Sequence, residues 1–187
     1  EGPIENLGAQ GVFTKEIQRA LLEERIDLAV HSLKDLPTET VEGLSLAAVP
    51  TRASVADVLL SEAGSSLEDL PAGCRVGTGS LRRQAQLLYA RPDLEVQPIR
   101  GNVETRISQL DEKQFGAIVL AEAGLVRLDL QHRISQVLPA QIVLPAVGQG
   151  ALGLETRTDD DETRGQLMSL DDTATHSAVI AERSLLV

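Results

Sequence analysis

The sequence of 187 residues has one cysteine, Cys74, no tryptophan, and aromatic residues at only 2%. A single cysteine excludes an internal disulfide framework, and a reducing, cytoplasmic setting is the simplest expectation. So few rings leave little with which to stack nucleic-acid bases. Basic residues are outnumbered, 17 Lys and Arg against 28 Asp and Glu, for a formal net charge of −11. Bulk attraction to nucleic acid or to an anionic membrane is therefore disfavoured. No apolar run reaches the length that crosses a bilayer, and no basic-then-apolar leader opens the sequence. His31, His132 and His176 are scattered without ligand spacing, so no metal site is expected. The sequence opens at Glu1 without Met and stops at Val187 inside an uncapped helical pattern, so a fragment of something longer is expected.

What is present is an ordinary globular balance, 42% hydrophobic and 24% charged, enough for one good core or two small ones. Phe13, Ile17, Leu21 and Glu24 trace a helical stripe that Thr14 could cap, and residues 27–31 and 44–49 read as strands. Three strand–turn–helix units follow. Residues 75–78 lead through Gly79-Ser80 into a helix with Leu81, Ala85 and Leu88 on one face. Residues 95–99 lead through Gly101-Asn102 into Val103, Ile107 and Leu110. Residues 117–121 lead through Gly124 into Leu125 and Leu128. Residues 142–147 and 151–155 read as further strands. The acidic run 159–162 opens a helix running to about Leu170, and Asp172 could cap the last helix, whose apolar face includes Val179 and Leu186.

This alternation predicts an α/β fold with a largely parallel sheet. The natural boundary lies at 50–53, with a return near Gln149. Residues 1–50 and 150–170 would form one lobe and 54–146 another, with 171–187 a helix leading onward. Two such lobes usually hold a ligand in a cleft at the carboxyl ends of their strands.

Three segments carry candidate chemistry. His31-Ser32-Leu33-Lys34-Asp35-Leu36-Pro37 leaves a strand with a polar cluster at its carboxyl end, where active-site groups gather or where a surface ion pair simply sits. Gly77-Thr78-Gly79-Ser80-Leu81-Arg82-Arg83 places two arginines in the first turn of a helix, against its dipole. With the cap hydroxyl and the free amides, that geometry makes an anion site. Arg100-Gly101-Asn102 repeats it one unit later with Arg106 following, and Arg127 in the third unit is either another contact or a surface charge. Several carboxylates on one ligand would suit such a set. Gly148-Gln149-Gly150-Ala151-Leu152-Gly153 matches G-x-G-x-x-G, but a strand rather than a helix follows it, so no dinucleotide is expected. A crossing between lobes explains these glycines, with Gln149 exposed to the cleft. The residues leave two readings open: an enzyme, or a non-catalytic two-lobed binding module for a polycarboxylate. A pure anion binder gains nothing from a carboxylate, Asp35, beside its ligand.

The segments 30–37, 77–83, 99–106 and 144–150, in this order and spacing, resemble the signatures of the porphobilinogen deaminase (hydroxymethylbilane synthase) family over essentially the whole chain. The resemblance implies two domains of type II periplasmic-binding-protein architecture and a smaller third one, outside this chain. It implies a monomeric cytoplasmic transferase that condenses four molecules of the small-molecule substrate porphobilinogen into hydroxymethylbilane, releasing ammonia, with no nucleic-acid or membrane partner. The cofactor implied is dipyrromethane, thioether-linked to a glycine-flanked cysteine expected beyond Val187; Cys74 is not at the matching place. Carried over by position, Asp35 is the catalytic carboxylate, steadying the cationic azafulvene left when ammonia departs. Lys34, Asp35, Thr78, Ser80, Arg82 and Arg83 hold the cofactor, and Arg100, Arg106, Arg127 and Gln149 face the substrate.

Overall fold

The computed structural model describes residues 9–186, and of residues 9–13 the backbone alone. The expectations placed on Glu1, on the Phe13 side chain and on Val187 fall outside the described residues. In chain order the elements are α1 (Ala9–Leu22), β1 (Ala29–Ser32), β2 (Leu44–Ala48), β3 (Asp57–Ser61), β4 (Arg75–Gly77), α2 (Leu81–Ala90), β5 (Glu95–Gln97) and α3 (Val103–Asp111). They continue as β6 (Ala117–Ala121), α4 (Glu122–Arg127), β7 (Gln136–Leu138), β8 (Leu152–Arg157), α5 (Asp161–Leu167) and α6 (Thr173–Arg183).

The chain divides into two compact units, the first running to Ala53 and resuming at Val147, the second spanning Ser54–Ala146. In the first, β8 is the middle of a three-stranded sheet in the order β1-β8-β2, and both pairings are antiparallel. Leu21 of α1 packs with Ala29 and Leu44 on this sheet, and Leu33, Val49, Ala151 and Val179 form a neighbouring cluster. Val179 is fully buried, so α6 packs within this unit. Leu186 lies beyond α6 in a short 3-10 turn, exposed. Thr14, four residues or more inside α1, is not its cap.

The second unit holds five strands in the order β5-β4-β6-β3-β7. The pairs of β4 with β5 and β6 are parallel, as strand–helix–strand repeats require. The pairs of β3 with β6 and β7 are antiparallel, so the sheet is mixed rather than largely parallel. Both faces are covered, and the alternation of side chains shows it. Leu59, Val76, Ala117 and Val119 point with Leu87 of α2 into one cluster, while Val58, Leu60, Ile118 and Leu120 join Ile107 of α3 and Leu125 of α4 in the other. The apolar run 142–147 forms no strand: Ile142 and Val143 fold back on Pro139 through backbone bonds, and Val143 is buried by that turn.

Caps follow local chemistry. The side chains of Ser80, Asn102, Asp160 and Asp172 accept from the amides of Arg83, Thr105, Thr163 and Thr175, closing the N-termini of α2, α3, α5 and α6. Asn102 Oδ1 takes both the Thr105 amide and the Thr105 hydroxyl, each at 2.8 Å. Asn102→Ala is expected to lower stability by about 1 kcal/mol, read as a shift of the urea midpoint without a change of slope.

Candidate active site

In the first unit, β1 delivers the chain into the turn at Leu33–Pro37. Leu33 is 1% exposed, and its amide donates to Ala151 O at 3.1 Å. Gly153 opposite leaves the space it fills, since a Cβ there would come within 2.5 Å of Leu33 Cδ2. With Leu33 anchored, Lys34 and Asp35 stand exposed on a turn closed by the Asp35 amide donating to Ser32 O at 2.9 Å. Gly148, at φ +69°, packs on the same turn: a Cβ would lie 3.1 Å from the Leu33 carbonyl carbon and 3.2 Å from Lys34 N.

Gln149 is not exposed; it is fully buried. Gly148 and Gly150 both take positive φ, which turns the chain sharply toward β8 and carries the side chain between them inward. Its carbonyl accepts from Arg52 Nε at 2.9 Å. His31 is satisfied as well: its Nε2 lies 2.9 Å from Glu155 Oε2, and Gln18 Nε2 donates to the same carboxylate.

In the second unit, the three strand–helix turns carry most of the predicted cationic residues. Thr78 is buried, and its hydroxyl accepts from the Ser80 amide at 3.2 Å, so it shapes the turn that presents the Ser80 cap. Gly79 is pressed against the next turn; a Cβ would sit 3.0 Å from Ile99 O and about 4 Å from both terminal nitrogens of Arg106. Arg106 Nε donates to Gly101 O at 2.8 Å, which aims the rest of its guanidinium at Gly79. Burial pulls the Arg106 pKa below its ordinary value, and the nearby charge of Arg83 adds to the effect. Arg100 precedes Gly101, exposed, and Arg127 is exposed at the end of α4. Cys74 lies at the opposite end of β4 from this cluster, and burial pushes its thiol pKa up.

The residue that sequence reasoning missed is Asp57. It is fully buried at the start of β3. Its Oδ1 accepts from Arg83 Nε at 3.0 Å and Nη2 at 2.6 Å, and its Oδ2 from Arg82 Nη2 at 2.7 Å. Arg83 also donates to Val119 O, and Arg82 to Leu144 O. The buried face of α2 is consequently Arg83 and Leu87, while Leu81 and Ala85 are exposed. The two arginines thus have a structural partner that the helix-dipole reasoning did not foresee. A single acid preceding an apolar run, Asp57 before Val58-Leu59-Leu60, was the available signal.

Among the described residues no helix is long and apolar enough to cross a membrane, and no group of three or more His, Cys, Asp or Glu side chains is placed to hold a metal. The fold is that of a periplasmic-binding-protein-like α/β protein. The solved structure of a candidate methionine-binding lipoprotein from Bacillus subtilis matches with a TM-score of 0.51 over 90% of this chain and 74% of its own, at 16% identity, a likeness of fold alone. Residues 1–165 match the family model "Porphobilinogen deaminase, dipyromethane cofactor binding domain". A porphobilinogen deaminase from Desulforudis audaxviator is 54% identical over 186 residues, which is 100% of this chain and 60% of the relative. One from Brevibacillus brevis is 50% identical over 183 residues, 98% and 59% respectively. The chain belongs to the porphobilinogen deaminase family, and it spans about 60% of the length of these relatives.

Because Asp57 is the shared partner of two guanidiniums in a dry site, Asp57→Asn is expected to cost about 3 kcal/mol or more, by leaving Arg83 buried without its counter-charge. Urea unfolding measures this, and an unchanged midpoint would show that the pair is not holding α2.

Proposed function

We propose that the protein containing this chain is a transferase of tetrapyrrole biosynthesis, hydroxymethylbilane synthase, which deaminates four porphobilinogen molecules and joins them head to tail on a dipyrromethane primer. The observation that carries the reading is the cationic character of these turns: Arg82 and Arg83 pair with the buried Asp57, and the Arg106 guanidinium is aimed at Gly79. Each pyrrole of such a ligand brings two carboxylates, which suit such turns.

The residues fit the cofactor's acid side chains. Gly79 keeps the N-terminus of α2 clear of a side chain, and the first-turn amides not capped by Ser80 have no partner within the helix. Ser80, Arg82 and Arg83 would hold acetate and propionate groups, with Thr78 shaping the turn from behind, and Lys34 is a further candidate for such a group. When bound, dipyrromethane supplies the pyrrole carbon to which the first substrate is joined; its thioether link is expected at a cysteine outside this chain, not at Cys74.

Asp35 works on the substrate. Departure of ammonia from the aminomethyl group leaves a cation, and a carboxylate on an anchored turn stabilises that charge as it develops. The same carboxylate can accept and return a proton as the rings are joined. Arg100 and Arg106 bind the incoming carboxylates, with Arg127 a further contact. Gln149, being buried, shapes the crossing at 148–150 instead of touching substrate. A cytoplasmic monomer completes the proposal; the free Cys74 supports the compartment.

In the full-length protein, Asp35→Asn is expected to keep the fold while kcat for porphobilinogen consumption drops roughly 100-fold or more. Near-normal turnover would overturn the role of Asp35. Arg106→Ala is expected to raise KM roughly 10- to 100-fold, the worth of a charge-assisted hydrogen bond. Arg106 is a cleaner probe than Arg83, whose removal would also strip Asp57 of a partner. An unchanged KM would count against the carboxylate-binding role.

A further inference from the structure

The turn that carries Lys34 and Asp35 is gripped by α6. Arg183, in the last turn of α6, donates from Nη1 to Leu33 O at 3.2 Å and Leu36 O at 2.9 Å, and from Nη2 to Pro37 O at 2.5 Å. These carbonyls lie on either side of Lys34-Asp35, so one planar guanidinium spans the segment from end to end. The adjacent Glu182 holds the piece of chain packed on that turn. Its carboxylate accepts from Arg52 at 2.5 and 2.9 Å and from the Gly148 amide at 2.9 Å. Arg52 in turn bonds Gln149 O, and Gly148 lies against Leu33 and Lys34. The bond from Arg52, helped by the Gly148 amide, lowers the pKa of the Glu182 carboxyl.

A cation in the last turn of a helix is ordinarily explained by the helix dipole. Arg183 does something more specific, since its donors leave α6 for a turn about 150 residues away in sequence. Leu33 is anchored independently by its amide and its buried side chain. Loss of the guanidinium would therefore loosen Asp35 without pulling Leu33 out of the core.

We propose that Arg183 is a positioning residue for Asp35, fixing the turn by bridging the carbonyls of Leu33, Leu36 and Pro37. The inference rests on the role of Asp35 given above. A lysine retains the charge and the favourable dipole interaction but lacks the fork that bridges three carbonyls.

The test uses the full-length protein, loaded with its cofactor, as Arg183→Lys, Arg183→Ala, Asp35→Asn and the Asp35→Asn/Arg183→Ala double variant. In Arg183→Ala kcat is expected to fall roughly 10- to 100-fold, as for a displaced catalytic group, with KM within about threefold of the parent. The loaded mass should be unchanged. Arg183→Lys, the variant least prone to misfold, should keep the parental melting temperature and still lose kcat. In the Asp35→Asn background, removing Arg183 should cost nothing further, because the two act as one unit. Full kcat in Arg183→Lys, or losses that multiply in the double variant on top of the expected drop in Asp35→Asn, would overturn the positioning role only. Near-normal turnover of Asp35→Asn would overturn the reading of Asp35 itself, and this proposal with it.

Discussion

The second unit is organised around one buried carboxylate. Two guanidiniums in the first turn of α2 oppose the helix dipole and, for Arg83, lie almost wholly out of water. Such an arrangement stands only with a counter-charge of matching geometry, and Asp57 supplies it from the first position of β3. Because β3 is paired on both sides, to β6 and to β7, the carboxylate is held rigidly. Helix α2, strand β3 and the cationic turn are therefore fixed together.

The first unit positions its reactive group by another means. Asp35 stands on an exposed turn, which by itself would be free to wander. Leu33 anchors one side by burial, Gly148 packs its backbone against the turn, and Arg183 spans it through the carbonyls. Glycine is favoured at 148 by its positive φ and tight approach to the turn, and at 153 because Leu33 comes too close for a Cβ.

Much of this was legible beforehand wherever the physics is local. The caps Ser80 and Asp172, the acid-led start of α5, the strand–turn–helix units at 75–128 and the strand after Gly150 depend on neighbours a few residues away. So does the rejection of a dinucleotide site at 148–153. What went unread depends on distant partners. Strands β3 and β7 are short and flanked by no distinctive turn, and β3 is apolar on both faces, so no alternation marks it. Residues 142–147 looked like a strand because of their apolar run, although it is a turn that buries Val143. On α2 the apolar side chains suggested a face through Leu81, whereas the pull of Asp57 on Arg83 set the rotation.

The sequence alone determined the family, the two arginine-bearing turns at 77–83 and 100–106 and the carboxylate at Asp35, because motif order and helix-terminus chemistry are written in consecutive residues. Only the tertiary structure decided how the charges are apportioned. It gave Arg82 and Arg83 to Asp57, placed Arg106 against Gly79, buried Gln149 and brought Arg183 to the turn of Asp35. The physical reason is that an ion pair or a bridging guanidinium is defined by distance in space. Residues 57 and 83, or 35 and 183, become neighbours only when sheets and helices have packed.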